Sequence, residues 1–288
     1  MECIAVVICN FNGGQYTVDC IKAVQKSTYN DWDIIVVDNA STDGSVELLT
    51  NEFGDSITIL LNDTNRGGAG GFGRGLRYAT EKNYEYIMML DNDAFVDEHA
   101  IEILMNTIKE DESIGIVGAK ILCLDDRNII MDFAKKMDWD SFIDYSVWVG
   151  QEDSEKSRIS VECDFVAATA SIVRREALVR SGGMDEEHFI YYDDIELNQR
   201  IRMAGYRVVA CGEAKAWNGT GTGGISGKAA PWKRKSRQRH LCPGGSPGFA
   251  EPAPLERGKE DGAGKRTRTV DSYLGKVALY QLSYARMG

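Results

Sequence analysis

Short apolar runs alternate with amphipathic segments along the first 120 or so residues, and this alternation restricts the fold more than any other feature of the chain. After the first run, Val18, Ile21 and Val24 recur at the spacing of a helix. Because strands that alternate with helices build parallel sheets, we predict an α/β fold: a doubly wound, mostly parallel sheet with helices on both faces. The runs that predict the first four buried strands are residues 4–9, 34–37, 57–61 and 86–90.

Acidic residues follow two of these strands directly. Asp38 follows the second strand, and Asp91 and Asp93 follow the fourth, separated by Asn92. Open α/β sheets bind ligands at the carboxyl ends of their strands. Two carboxylates one residue apart suit a divalent cation that carries a diphosphate, and Asp38 can accept hydrogen bonds from a base or a ribose. The alternative for both places is a solvated turn made by Asp and Asn.

A glycine-rich stretch, residues 67–73, precedes a helix predicted over residues 74–82. Gly68, Gly70 and Gly73 match the GxGxxG pattern of dinucleotide-binding loops. That pattern usually belongs to the first strand–helix turn of its domain, which lies elsewhere in this chain. The stretch therefore predicts a loop whose backbone closely approaches a ligand, without specifying which ligand.

Two helix starts are also predicted. Ser41 or Thr42 is expected to cap the helix after the second strand. In a second acidic cluster, Asp193 with Glu196 matches a capping arrangement, and Glu196 should also pair with Arg200 four residues later.

These two roles leave Asp194 as the carboxylate that can act as a general base. Its acidic neighbour Asp193 would help to raise its pKa. The helix that begins with Asp194 is predicted over residues 194–204, between strand-like segments at residues 163–173 and 207–211. We therefore expect a subdomain built onto the same sheet.

Composition excludes some classes of protein and sets the last segment apart. The net charge of −11 argues against a nucleic-acid binder. Seven scattered cysteines predict reduced thiols and a cytoplasmic protein, and no apolar run is long enough to span a membrane. All five prolines lie beyond Lys228, and residues 228–268 hold 11 basic against 4 acidic side chains. We interpret residues 228–288 as a basic Gly/Pro-rich tail, either flexible or translated out of frame, that could contact anionic lipids peripherally at the inner face of the membrane.

Four segments together resemble the family 2 glycosyltransferases of the GT-A fold. They occur in the same order and spacing as in that family, and the resemblance covers residues 1–227. The loop at residues 65–75 further resembles the galactofuranosyltransferase and rhamnosyltransferase branch. The four segments are residues 6–12, 36–45, 91–93 and 192–200.

The resemblance implies an inverting transferase of cell-wall or polysaccharide biosynthesis. The donor would be a nucleotide-diphosphate sugar of the UDP-galactofuranose or dTDP-rhamnose type, and the acceptor a hydroxyl of a glycan or lipid-linked glycan. Residues 1–118 would form the nucleotide-sugar-binding half of one GT-A domain, and residues 119–227 the acceptor-facing, catalytic half.

The resemblance also implies roles for individual residues. Asp194, with Asp193 beside it, would be catalytic. Mg²⁺ or Mn²⁺ would be held by Asp91, Asp93 and Asn218. Donor contacts would come from Phe11, Asn12, Asp38, Asn65, Gly67, Asp91 and Asn92.

One departure from the branch pattern keeps two alternatives open. Branch members have a histidine after a late tryptophan, whereas here Trp217 is followed by Asn218. Because an amide oxygen is a poorer Mn²⁺ ligand than imidazole, a catalytically impaired nucleotide-sugar-binding protein is one alternative. A dinucleotide-dependent oxidoreductase that uses the glycine pattern is the other.

Overall fold

The structure is a computed structural model that describes residues 3–139, 143–146 and 148–219. The predicted tail at residues 228–288 and its membrane contact lie outside these residues. Within the described residues, no helix combines the length and the apolar character needed to cross a membrane, and none of the six cysteines forms a disulfide. The elements follow in the order β1 (Ile4–Asn10), α1 (Gly14–Gln25), β2 (Trp32–Asp38), α2 (Ser45–Phe53), β3 (Ile57–Leu61), α3 (Gly67–Glu81), β4 (Tyr86–Asp91), β5 (Ala94–Val96), α4 (Ala100–Glu110), β6 (Ile114–Cys123), β7 (Ile130–Asp132), β8 (Lys135–Asp138), β9 (Ile143–Ser146), β10 (Ser160–Glu162), β11 (Ala170–Arg174), α5 (Arg175–Ser181), α6 (Asp193–Met203) and β12 (Arg207–Asn218).

One mixed sheet organises the described part of the chain, in the order β10-β12-β6-β11-β4-β1-β2-β3. Strands β4, β1, β2 and β3 run parallel to one another, and β12 runs parallel to β6. Strand β11 lies antiparallel between β4 and β6. The prediction of a mostly parallel α/β sheet is confirmed.

Helices cover both faces of this sheet, as the alternation in β1 shows. Ile4 and Val6 belong to one apolar core, which also contains α1 and α4 side chains. Ala5 and Val7 belong to a second core on the other face, which contains side chains of α3, α5 and α6. A strand buried on both faces needs an unbroken apolar run, and this is the pattern that the sequence has here.

The glycine-rich stretch is helical, which corrects the prediction of a loop before residue 74. Helix α3 begins at Gly67. Glycine is a poor helix former, so the sequence favoured a loop, but packing reverses that preference here. A Cβ on Gly71 would lie 2.1 Å from Cys9 Sγ, and one on Gly75 would lie 2.2 Å from Val7 Cγ1. The glycines therefore let α3 approach the sheet more closely than any other residue would allow.

Both predicted helix caps are wrong in detail. Helix α2 begins after Gly44 without a side-chain cap, because Ser41 is engaged by the preceding loops. At α6 the N-cap position is occupied by Tyr192, and Asp193 lies in the first turn. The predicted pair between Glu196 and Arg200 is present, with Nε and Oε1 2.5 Å apart.

The strands of the second half differ in length from those predicted. The segment predicted over residues 163–173 is strand only from Ala170, whereas β12 continues beyond its predicted end at residue 211 as far as Asn218. A register shift between Cys211 and Lys215 lets β12 continue along β6 to Asn218. Strand β6 crosses the predicted division at residue 118, so strands from both parts share the sheet.

Candidate functional site

A buried asparagine at the end of β1 links three polar segments. Asn10 Nδ2 donates to Asp38 Oδ2 at 2.7 Å and to Ser41 Oγ at 3.2 Å. Its Oδ1 accepts from Thr17 Oγ1 at 2.8 Å and from Asn92 Nδ2 at 3.2 Å. Because Asn10 is fully buried, these bonds fix the ends of β1, β2 and β4 relative to one another.

Asp38 supports its own loop. The residue is buried, and while Oδ2 accepts from Asn10, Oδ1 accepts from the backbone N–H of Ser41 at 2.9 Å. Asn12, with φ of 52°, accepts from the N–H of Thr42 at 2.8 Å. Phe11 beside it is 46% exposed. The exposed groups at this edge are therefore Phe11 and the loop backbone, with Asp38 beneath them.

A second asparagine pair reaches from β2 to the start of α3. Asn39 Nδ2 donates to the carbonyl oxygen of Gly67 at 2.8 Å, and Asn62 Nδ2 donates to Asn39 Oδ1 at 2.7 Å. Asn65 Oδ1 accepts from the Gly67 N–H at 2.8 Å. Sequence reasoning missed Asn10, Asn39 and Asn62; the available signal was that each lies within two residues of the end of an apolar run.

The acidic residues after β4 lie next to the end of β12. Asn218 Nδ2 donates to Asp93 Oδ1 at 3.1 Å, although 125 residues separate them. Burial, followed by the charge of Asp93 and then by smaller effects of Asp194 and Asp193, raises the pKa of Asp91 to about 7. Burial also raises the pKa of Asp93, against the hydrogen bond from Asn218. The predicted trio of Asp91, Asp93 and Asn218 is thus assembled in space.

These residues fit a divalent cation that phosphates help to hold. The charged neighbours that raise the pKa of Asp91 are all carboxylates, so a cation would relieve their repulsion. Among the described residues no cluster of three His, Cys, Asp or Glu side chains could hold a metal ion by itself. Mg²⁺ and Mn²⁺ often bind through one or two carboxylates and complete their coordination with substrate phosphates and water.

A cavity of about 590 Å³ brings Asp91 together with the acidic start of α6. Burial, followed by the charge of Asp194, raises the pKa of Asp193 to about 7. Burial raises the pKa of Asp194 as well, and the ammonium group of Lys135 opposes that rise. Asp91, Asp193 and Asp194 are thus brought to one cavity. Its lining consists of Gly68, Phe72, Asp91, Lys135, Asp144, Phe165, Ala168, Thr169, Ile190, Tyr191, Tyr192, Asp193, Asp194 and Ile195.

Lys135 was not predicted from the sequence. Its Nζ lies 2.6 Å from Asp132 Oδ2 and 5.1 Å from the ring centre of Phe165. It is the basic side chain among the residues that line this cavity in the described part of the chain. No sequence pattern marks it, because it reaches the cavity through the pairing of residue 135 with residue 165.

The backbone before α6 is strained. Phe189 has φ of 60° and ψ of −66°, and the N–H of Ile190 donates to the carbonyl of His188 at 2.7 Å. This is a γ-turn of the rare positive-φ type. Tyr191 and Tyr192 follow with φ of 69° and 64°. Such residues cost about 1–3 kcal/mol each and concentrate at functional sites, where the surrounding structure holds them in place.

Comparison with known proteins places these features in a family. The family model described as "Glycosyl transferase family 2" matches residues 5–181. Glycosyltransferase GlyG of Streptococcus pneumoniae serotype 4 is 34% identical over 118 residues, which are 41% of this chain and 38% of that protein. Poly-beta-1,6-N-acetyl-D-glucosamine synthase of Staphylococcus aureus is 23% identical over 210 residues, which are 72% of this chain and 48% of that protein. The matched part of the chain thus spans less than half the length of either relative.

Solved structures share the fold at low sequence identity. The structure of GalNAc-T7 with UDP, GalNAc and Mn²⁺ superposes with a TM-score of 0.64 at 16% identity, over 76% of this chain and 44% of that one. The structure of S. aureus TarS 1–349 with UDP gives a TM-score of 0.54 at 15% identity, over 76% of this chain and 61% of that one. At these identities the likeness shows the fold alone.

Proposed function

The chain belongs to glycosyl transferase family 2, and we propose that it moves a sugar from a nucleotide-diphosphate donor to a hydroxyl group of a glycan or lipid-linked glycan. The observation that carries this proposal is the single cavity that Asp91, Asp193 and Asp194 share at the carboxyl ends of the strands. Within that cavity, Asp91 is suited to a cation and a diphosphate, and Asp194 is suited to proton transfer.

The donor would bind along the ends of β1, β2 and β4. Phe11 and Asn12 belong to the exposed loop over Asp38, and Asn65 and Gly67 begin α3 across the same edge. We assign the nucleoside to this loop edge and the diphosphate to Asp91, Asn92 and Asp93. The asparagine bonds around Asn10 support this assignment because they hold the edge in place before a ligand arrives.

Transfer would proceed by one displacement with inversion. The acceptor hydroxyl gives its proton to Asp194 while its oxygen bonds to the anomeric carbon, and the bond from that carbon to the diphosphate breaks. Burial, followed by the charge of Asp194, raises the pKa of the neighbouring Asp193, so a proton is favoured in this part of the cavity. A Mg²⁺ or Mn²⁺ ion at Asp91, Asp93 and Asn218 would neutralise charge on the departing diphosphate.

Two finer features belong to the same proposal. We infer a donor of the UDP-galactofuranose or dTDP-rhamnose type from the resemblance of residues 65–75 to that branch of the family. We also infer use of the donor in the cytoplasm, which the cysteines of the described residues support because they are thiols and not disulfides.

Calorimetric titration of UDP and dTDP, each with Mn²⁺, Mg²⁺ or EDTA, tests the proposal. We expect micromolar binding that depends on the metal and prefers one base. Asp93→Asn should weaken metal-dependent binding about tenfold or more, because it removes a charged ligand. Asp55→Asn is the matched control, since Asp55 is exposed at the amino end of β3, on the opposite edge of the sheet.

Two outcomes would contradict parts of the proposal. Absence of nucleotide binding would overturn it altogether. Binding that is indifferent to metal, without turnover of the donor, would favour the impaired binding protein. In that case Asn218→His should restore metal dependence, because imidazole is a better Mn²⁺ ligand than an amide.

A further inference from the structure

We propose that the segment Phe189–Tyr192, called the rim segment below, is an acceptor subsite that binds the ring of an uncharged sugar. The inference rests on the proposed function and adds to it the place and the chemical class of the acceptor. The inference begins from three large side chains in this segment that are about half exposed or more. Phe189, Ile190 and Tyr191 are 49%, 52% and 68% exposed.

Two of these exposed side chains line the cavity that contains the proposed general base. Ile190 and Tyr191 line the same cavity as Asp193 and Asp194, so they lie beside the carboxylate that we assign as the base. Tyr192 differs, because its ring packs against Phe165 and Ile195 in a small core. A sugar ring has an apolar face of C–H groups and an edge of hydroxyls. An exposed aromatic ring next to carboxylates offers a complementary surface to each.

The rim segment is fixed in place by α3. The carbonyl oxygen of Phe189 accepts from the N–H of Ala69 at 3.1 Å. Gly67, with φ of 68°, leaves room for that oxygen, since a Cβ there would lie 1.9 Å from it. Three residues earlier, Glu186 pairs with Arg77 at 2.5 Å and Arg66 at 3.7 Å. The strained backbone thus holds Tyr191 outward without a ligand, which lowers the entropy lost on binding.

The charge of the cavity favours a neutral acceptor. Its lining includes the four carboxylates Asp91, Asp144, Asp193 and Asp194 but one ammonium group, that of Lys135, among the described residues. Lys135 is itself paired with Asp132. A phosphate-bearing acceptor would be repelled by this field and by the donor's diphosphate. The hydroxyls of a neutral sugar can instead donate hydrogen bonds to the carboxylates.

Saturation-transfer NMR on the full-length protein, with UDP and Mg²⁺ present, tests the inference. The probes are the methyl glycosides of galactose, glucose, mannose, rhamnose and N-acetylglucosamine, with glycerol 3-phosphate as an anionic probe. We expect saturation of the ring C–H protons of at least one glycoside and none of glycerol 3-phosphate. Tyr191→Ala should weaken glycoside binding about tenfold, the upper end for one aromatic contact, whereas Tyr191→Phe, which keeps the ring, should retain it.

The controls separate this inference from the proposed function. Met203→Ala removes an exposed apolar side chain at the far end of α6 and should change nothing. UDP affinity, measured on the same samples, should be equal in all variants. If UDP binds and no glycoside is saturated, or if Tyr191→Ala binds glycosides normally, the inference is wrong and the donor site stands. If UDP itself does not bind, the proposed function fails first.

Two further outcomes would replace the uncharged sugar with another partner. Preferential saturation of glycerol 3-phosphate would show that the subsite takes an anionic acceptor. Sedimentation with phosphatidylglycerol vesicles that is lost in Tyr191→Ala, without saturation of any glycoside, would show that the rim segment meets a lipid surface. Either result overturns the inference.

Discussion

The donor edge, formed by the ends of β1 and β2 and the loops that follow them, and the acidic cavity are built in opposite ways. At the donor edge, the buried polar groups of Asn10, Asp38 and Asn39 have hydrogen-bond partners within the protein. In the cavity, burial and repulsion between carboxylates raise the pKa values of Asp91 and Asp193 to about 7, and the backbone before α6 is strained. The hydrogen bonds of the donor edge therefore stabilise the fold, whereas the buried carboxylates of the cavity destabilise it.

This difference fits the roles that we propose for the two places: the donor edge would bind a nucleotide, and the cavity would contain the proton acceptor. A nucleotide is recognised by groups that stay still, so a fully bonded network is an advantage there. A proton acceptor must change its charge during the reaction, so its surroundings cannot satisfy one charge state completely. We therefore expect loss of hydrogen bonds at the donor edge to lower stability, and loss of a buried charge in the cavity to raise it.

The largest effect is expected for Asp194→Asn. Because the amide cannot take the acceptor's proton, kcat should fall about 10²–10⁴-fold, while the affinity for UDP stays within about twofold. The measurement is the rate of nucleotide release from a sugar donor that carries the base preferred in the titrations. Glu187→Gln is the control, because it changes an exposed acid to an amide close to the start of α6, and it should leave kcat unaltered. If kcat falls equally in both variants, Asp194 is not the general base.

The next effect should appear in the free energy of unfolding of Asn10→Ala. The substitution removes the hydrogen bonds that Asn10 makes with buried Asp38 Oδ2 and Thr17 Oγ1, so we expect a loss of about 2–3 kcal/mol in urea titrations. Asn51→Ala, at an exposed position in α2, should change stability by less than about 0.5 kcal/mol. If Asn10→Ala were as mild as its control, the donor edge would owe little to its hydrogen bonds.

The smallest effect, of opposite sign, is expected for Asp193→Asn. The folded pKa of about 7 lies above the unfolded value near 3.9. Ionised Asp193 therefore costs stability; the cost is absent below about pH 4, grows up to about pH 7 and is complete above it. Asp193→Asn should thus raise Tm by a few degrees at pH 8 and less at pH 5, in the presence of EDTA.

A gain in Tm of the same size at pH 5 and pH 8 would show that the carboxylate's charge is not the cause. Glu187→Gln serves again as the control and should show no gain that depends on pH. Asn10→Ala and Asp193→Asn together test whether the donor edge and the cavity affect stability in opposite directions.

Local patterns predicted the parts of the molecule that depend on near neighbours. Apolar runs identified β1 to β4, and the acids at residues 91 and 93 were correctly placed at the end of a strand, because side-chain burial leaves a direct trace in the sequence. The pair between Glu196 and Arg200 was predicted because both lie on one helix face.

The remaining features depend on contacts between distant segments. Helix α3 includes the glycine-rich stretch because the close packing of Gly71 and Gly75 against β1 outweighs the poor helix propensity of glycine, and β1 lies far away in the sequence. Lys135 reaches the cavity through a bridge to Phe165. The bonds of Asn39 and Asn62 likewise join segments that no spacing rule connects. Sequence patterns do not encode such pairs.

The fit between Gly67 and the carbonyl of Phe189 has a consequence for anyone who recombines enzymes of this kind. The γ-turn cannot be exchanged alone, because the carbonyl oxygen of Phe189 occupies the space where a Cβ on residue 67 would lie. An incoming loop with a different backbone would not fit against Gly67. Residues 65–73 and 185–192 are therefore one unit of exchange, although they lie more than a hundred positions apart. Chimeras that move both together should keep their fold, and those that divide the pair should lose it.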